Sequence, residues 1–321
     1  MSKDTVSRRR FMKEVGAICG AMVMGAGSAG AAARRTQRGK LHLACNHYPW
    51  IVYYQRDGKD FNALVDEGLA EMASCGIDGF EPIIGRPEDV ERLAPLLNKH
   101  RLQMRSLYVN SALHEKEQAE KSIEGVLAIA EKAKAVMGTR IIVTNPSPIR
   151  WGGPENKNDE QLTVQAAAME KLGRQLKSMG LTLSYHNHDI ELREAAREFH
   201  HMMAGTDPAL VTLCLDAHWI YRGSGNSQVA LFDVLKLYGK RVTELHLRQS
   251  KDNVWSETFG EGDIDYKALA DYLLTIGVRP HLVLEQAVEG GTPKTMGTVE
   301  AFRKSSEYAR GLFGGFVGVI R

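Results

Sequence analysis

From Leu41 onward, short apolar stretches alternate with longer ones whose apolar residues recur at helical spacing. Residues 41–48 (LHLACNHY) open as a strand. Asn62–Cys75 follows as a helix, with Leu64, Leu69 and Met72 near helical spacing and Gly76 as its stop signal. Residues 79–84 (GFEPII) and 102–109 (LQMRSLYV) predict the second and third strands, separated by a helix over Pro87–His100 whose proline suits a first turn. A long helix of alanines with Glu and Lys, Lys116–Met137, ends at Gly138. Residues 140–146 give the fourth strand, Glu160–Met179 a helix stopped by Gly180, and residues 181–186 the fifth strand. The same rhythm places helices over Arg193–Met203, Gln228–Tyr238, Tyr266–Ile276 and Val299–Phe313, around strands at 211–217, 242–248 and 281–286. Eight strand–helix units over residues 41–313 predict an α/β fold, a (β/α)8 TIM barrel. The rival, a doubly wound open sheet, would normally carry a glycine-rich phosphate turn after its first strand, and CNHYPWIVYY contains no glycine.

Composition narrows the partners more than the fold. A chain of 321 residues can bury a full barrel core. The net charge is +2, and several of the positive charges lie in the first 40 residues, so the rest lacks the concentrated basic face that a nucleic-acid partner requires. Cys19, Cys45, Cys75 and Cys214 show no paired spacing, which argues for buried thiols and against a disulfide framework. The N-terminus reads Ser-Arg-Arg-Arg-Phe-Met-Lys over residues 7–13, then a mild apolar run from Val15 to Ala29, then three alanines at 31–33. These are the parts of an export signal and resemble the twin-arginine kind. The run is too short and too rich in Gly and Ala for a stable membrane anchor. Residues 1–33 are therefore expected to be a cleaved signal read by the twin-arginine machinery, 34–40 a short basic linker and 314–321 a tail, with the mature protein periplasmic or secreted.

The chemistry gathers at the strand ends. His186 and His188 sit two apart, so both side chains point to one side of the fifth strand. Asp216 and His218 close the sixth strand, His246 sits in the seventh and Glu285 in the eighth. In a parallel barrel these ends face one mouth, so His186, Asp216, His246 and Glu285 are expected to gather around one divalent ion. Two imidazoles with two carboxylates suit Mn, Co, Zn, Ni or Fe and are too nitrogen-rich for Ca. Glu81, on the second strand, is a further candidate for acid–base work. The loop Ser147–Asn158 is long for a barrel connection and is expected to be functional. Tyr48, Trp50, Tyr108, Trp151, Trp219 and Trp255 are the aromatic residues near the mouth from which contacts to a sugar face would come.

The stretches YHNHDIEL, LDAHW, ELHLRQS, the loop 260–265 (GEGDID) and LVLEQ resemble the xylose-isomerase-like TIM-barrel superfamily. That group holds sugar isomerases and epimerases, inosose dehydratase, hydroxypyruvate isomerase and the type IV apurinic endonucleases. The resemblance covers residues 41–313 and implies that Asp216, His246 and Glu285 are metal ligands. It also implies that His186 stands where epimerases carry a Glu, and that His188, Glu191 and His218 hold substrate hydroxyls. Arg248 and Gln249 depart from the family's Lys and Asp, with Arg248 able to grip a substrate oxygen as a fixed fork. Family epimerases use two metal-bound carboxylates on opposite sugar faces. A histidine at 186 leaves one-base chemistry, with Glu285 the first candidate base, Glu81 behind it, and His188 or His218 as acid partners. The activity implied is metal-dependent isomerisation or epimerisation of a sugar, keto-sugar or cyclitol through proton abstraction beside a carbonyl. The alternatives are a lyase or dehydratase on the same site and a non-catalytic sugar-binding protein. A DNA-repair endonuclease would need further ligands and a basic groove, and export contradicts it. The expected partner is a small carbohydrate, and the resemblance implies a homo-oligomer.

Overall fold

The structure, a computed structural model, describes residues 40–317. The expected export signal, all but the last residue of the expected linker, Cys19 and the end of the tail lie outside the described residues. Eight parallel strands form the sheet: β1 (Leu43–Asn46), β2 (Gly79–Glu81), β3 (Ser106–Ser111), β4 (Ile141–Pro146), β5 (Thr182–His186), β6 (Val211–Asp216), β7 (Val242–Leu247) and β8 (His281–Leu284). Their spatial order is β2-β1-β8-β7-β6-β5-β4-β3. The two ends, β2 and β3, meet through the isolated bridges Gly79↔Gln103 and Ile83↔Tyr108, with Phe80 N donating to the Gln103 carbonyl at 2.9 Å and Tyr108 N to the Pro82 carbonyl at 2.9 Å. The result is the predicted (β/α)8 barrel, nearly closed.

Among the described residues ten α-helices surround it: α1 (His47–Arg56), α2 (Val65–Ser74), α3 (Pro87–His100), α4 (Lys116–Met137), α5 (Asp159–Ser178), α6 (Arg193–Ala204), α7 (Ala217–Gly223), α8 (Gln228–Tyr238), α9 (Tyr266–Thr275) and α10 (Thr298–Leu312). Two of these, α1 and α7, depart from the sequence expectation. Each starts directly on a strand end, because the last strand residue also caps the helix. Asn46 accepts from Tyr48 N at 2.8 Å, and Asp216 accepts from Trp219 N at 2.9 Å. His47 and Tyr48, read as the end of the first strand, are therefore helical. A short antiparallel ladder, Ser250–Lys251 with Val254–Trp255, follows β7 and was likewise not expected.

Side-chain alternation divides the core in two. Leu43, Leu107, Leu183, Leu213, Leu245 and Leu282 belong to the main buried apolar cluster that the strands share with the helices. Tyr108, Val143 and Cys214 form a separate small cluster with Ile83 and Ile141. Cys45, Cys75 and Cys214 are free and buried. The tail begins as a short 3-10 turn, Gly314–Phe316, with Phe316 packed edge-on against Phe313 at 5.1 Å between ring centroids. Among the described residues no helix is long and apolar enough to cross a membrane.

Candidate metal centre

The register of β5 to β8 brings four side chains to one place. His186 is level with Cys214, Asp216 with His246, and His246 with Val283, so Glu285 lies two residues further along β8 and on the same side. His186, Asp216, His246 and Glu285 each offer a ligand atom, and all four atoms lie within 4.8 Å of one another. His246 Nδ1 is 2.8 Å from Glu285 Oε2 and 3.2 Å from His186 Nε2, which is itself 3.9 Å from Asp216 Oδ2. All four residues are buried.

The donor set fits a divalent ion. Asp216 spends Oδ1 on capping α7, while Oδ2 is buried without a hydrogen-bond partner. A carboxylate oxygen left so is costly unless a cation or a proton completes it. Burial pushes the Asp216 carboxyl up to about 7, against the opposing pull of Arg248. Asn187 fixes the aspartate from behind, exchanging hydrogen bonds with the Asp216 backbone N–H and carbonyl at 3.1 Å each. His246 Nε2 faces Glu81 Oε2 at 3.1 Å and Glu244 Oε1 at 3.2 Å, which leaves Nδ1 for the cage. Burial raises the Glu285 carboxyl, but Arg248 and His246 outweigh it and hold it well below the usual carboxylate range.

Arg248 closes the side of the cage. It is fully buried, donates from Nε to the Glu285 carbonyl at 3.0 Å, and brings Nη2 to 3.0 Å from Glu285 Oε2 and 3.6 Å from Asp216 Oδ2. Its guanidinium lies over Trp219 at 4.9 Å and Trp255 at 4.5 Å.

A cavity of about 440 Å³ opens onto this cage, within the usual range for small-molecule sites. Glu285, Arg248 and His188 line it, with Tyr48, Tyr108, Trp151, Trp219 and Trp255 as aromatic walls. Trp50, the sixth aromatic of the sequence reading, is instead in the core, stacked on Phe302 at 4.7 Å. Glu285 Oε2 faces the cage, and among the described residues Oε1 has no hydrogen-bond partner. His188 sits between Trp151, at 5.1 Å, and His186, at 4.7 Å.

Besides the cage residues His186, Asp216 and His246, three residues expected to touch substrate or act as acid or base are not on the cavity wall. Glu81 is fully buried, takes a 2.6 Å hydrogen bond from Asn46 Nδ2, and is placed to orient His246. Glu191 is enclosed beneath its loop, accepting from His188 N at 2.6 Å and Asn145 Nδ2 at 3.1 Å. His218 is fully buried beside Trp219, Tyr221 and Trp255, and burial followed by Arg248 and Arg222 lowers its pKa, so the ring is neutral. Conversely, Asn46, Ile83, Asn110 and Asp189 line the cavity without having been predicted. The signal for Asn46 was its position, an amide at the end of the first strand, equivalent to Asp216 on the sixth.

Comparison with known proteins agrees with this architecture. The chain is 29% identical over 209 residues to an inosose dehydratase of Clostridium botulinum, covering 61% of this chain and 67% of that one. It is 25% identical over 252 residues to an inosose dehydratase of Clostridium perfringens, covering 68% and 81%. Among solved structures, a sugar phosphate isomerase/epimerase from Parabacteroides distasonis superposes with a TM-score of 0.65 at 20% identity, over 92% of this chain and 100% of that one. A 3-keto-D-glucoside 4-epimerase from E. coli superposes with a TM-score of 0.62 at 15% identity, over 85% and 100%. These two likenesses show the fold. Residues 69–310 match the pattern of the family described as "Xylose isomerase-like TIM barrel", and the chain belongs to that family.

Proposed function

We propose that this protein is a divalent-metal-dependent lyase that removes the proton beside the carbonyl of a sugar or cyclitol ketone and expels an oxygen substituent from the next carbon. His186, Asp216, His246 and Glu285 would hold the ion, which when bound supplies a Lewis acid to polarise the carbonyl. The observation that carries the reading is Glu285, which lines the cavity with one carboxylate oxygen turned to the cage and the other without a hydrogen-bond partner among the described residues. The position where family epimerases carry a second carboxylate is His186, whose Nε2 points into the cage, so no second carboxylate base is offered there.

The chain's own residues then perform a one-base elimination. Glu285 takes the α proton, the C–H electron pair forms the new double bond, and the β C–O bond breaks. The proton held on Glu285 passes to the departing oxygen, giving an unsaturated ketone and water or an alcohol. Arg248 and Glu81 hold Glu285 and His246 in place, and His188 borders the substrate as a neutral ring. The inosose dehydratases at 29% and 25% identity support this reading. A second reading, isomerisation, is favoured by His188 on the cavity wall, 4.7 Å from His186 between ring centroids, where the neutral ring can relay the hydroxyl proton to the carbonyl oxygen while Glu285 returns the α proton to the neighbouring carbon. We place the reaction outside the cytoplasm, on the export pattern of residues 1–33.

The test is incubation of metal-loaded protein with 3-keto-glycosides, inososes and free ketoses in deuterated water. Release of an aglycone or of water supports the lyase. Deuterium exchange with isomer formation and no cleavage supports the isomerase. Sugar binding that is the same for wild type and Glu285→Ala, with no reaction in either, overturns both in favour of a binding protein.

A further inference from the structure

We propose that the cavity is built for an unphosphorylated glycoside, with the reacting sugar at Glu285 and the aglycone, a second sugar ring or an arene, lying on an indole shelf headed by Trp151. The inference rests on the function proposed above and names the substrate class of the same site.

The rings adjoin one after another, each turned 53–83° from the next. Trp151 meets His188 edge-on at 5.1 Å, His188 is 5.8 Å from Trp219, and Trp219 meets Trp255 at 5.6 Å. The shelf runs from the cavity wall beside Glu285 out to solvent, where Trp151 is 55% exposed. Trp151 keeps its ring open to solvent at the rim of the cavity, and a flat apolar face suits the C–H face of a sugar or an aromatic ring. The shelf is also fixed. Trp151 belongs to the loop Ser147–Asn158, which is tied down by Arg193 Nη1 donating to the Gly153 carbonyl at 2.8 Å and by the buried pair Lys157–Glu198 at 2.7 Å. A free monosaccharide engaged at Glu285 has no need of a platform reaching that far.

The site lacks provision for a phosphate. In TIM barrels that bind phosphate, the donors come from the loops after strands seven and eight. Here the chain's own carboxylates have taken several of those donors. Asp263 accepts from Ser250 Oγ at 2.8 Å, Asp252 N at 3.0 Å and Asn253 N at 2.8 Å. Glu289 accepts from Trp255 N at 2.8 Å and binds Arg222 through two nitrogens, at 2.9 and 2.8 Å. Gly262 lets the Asp263 segment lie against the Ser250 carbonyl, where a Cβ would be 2.2 Å away. Arg248 is the one cation among the residues lining the cavity, and Glu285 and Asp216 already balance it. Its Nη1 is buried without a hydrogen-bond partner. Asp189 adds a further negative charge to the wall, and no second cation among the lining residues offsets it for a dianion.

The experiment measures binding to the metal-loaded full chain by tryptophan fluorescence, with four probes: 4-nitrophenyl 3-keto-β-glucoside, 3-keto-cellobiose, free 3-keto-glucose and 3-keto-glucose 6-phosphate. Stacking of one ring on an indole predicts that at least one glycoside binds about tenfold more tightly than the free keto-sugar. The phosphate should bind no more tightly than the free keto-sugar. Trp151→Ala should bring the ratio of glycoside to free-sugar affinity close to one, and Trp151→Phe should restore part of it. Tighter binding of the phosphate overturns the proposal, and so does a ratio that Trp151→Ala leaves unchanged. If the free keto-sugar binds and reacts while neither glycoside gains, this inference alone falls. If no keto-sugar binds or reacts, the proposed function falls with it.

Discussion

Glu191 shows how enclosure sets the charge of a single side chain. It is 1% exposed, accepts two hydrogen bonds, and lies near Glu198. Burial first, and then the Glu198 charge, pushes its carboxyl from 4.5 up to about 7. Between those values the folded chain keeps a proton that the unfolded chain has released, so this group's contribution to stability is complete below 4.5 and is lost as pH rises towards 7. The loss is on the order of 3 kcal/mol. His42 and His281 act with the opposite sign. Burial lowers them to about 4 and about 3, so their contribution is present above the ordinary value of 6.5 and is lost as pH falls. The readout must therefore be a difference. Urea unfolding of wild type and Glu191→Gln at pH 4.5 and pH 7.5 should show the variant gaining on wild type by about 2–3 kcal/mol across that interval. A constant difference between the two proteins would mean that Glu191 is ionised throughout. The sequence could not separate this residue from a substrate contact, because a carboxylate three residues after His188 reads the same whether it faces the cavity or caps the loop from beneath.

At the scale of elements, helices and strands were legible where the apolar period is long. α3, α4 and α8 have the predicted bounds, and α5 differs by one residue at each end. The helices that escaped, α1 and α7, begin without a break after strands whose last residues serve as their caps. The same ambiguity hid part of the site, since Asp216 is at once a strand end, a helix cap and a cage carboxylate. The four cage residues were readable because each lies at or next to the end of its own strand, whereas the depth of Glu81 depends on its bond to Asn46 from the neighbouring strand. A cap also governs the long loop. Asn158 Oδ1 accepts from Gln161 N at 2.9 Å, and the Gln161 side chain accepts from Asn158 N at 3.0 Å, so α5 begins with a full capping box at the loop's last residue. Asn158→Ala should lower stability by about 1 kcal/mol. It should also speed protease cleavage within 147–158 under native conditions. An unchanged cleavage rate would show that Arg193 and Lys157 hold the loop without the cap.

For the molecule as a whole, the barrel's weak line and its four cage residues lie on different strands. The cage residues come from β5 to β8, four neighbouring strands, or from the residue just beyond, and multi-residue ladders join those strands, with one register shift between β6 and β7 at Leu213/Cys214. The β2–β3 seam instead closes through two single bridges. Gly79 makes the first of these possible, because a Cβ there would lie 2.7 Å from His42 Cε1 and 2.8 Å from the Gln103 carbonyl, the acceptor of the Phe80 N–H. Backbone cannot yield cheaply, so Gly79→Ala should force the seam apart at a cost of about 1–3 kcal/mol. Native-state hydrogen exchange should then show the amides of Phe80, Gln103 and Tyr108 losing protection, while those of β6 and β7 keep theirs. If divalent metal raises the melting temperature of the wild type, it should raise that of this variant by a similar amount, since no cage residue lies on the seam. Uniform loss of protection around the barrel would show that the eight strands open as one cooperative unit and that the seam is no weaker than the ladders beside it.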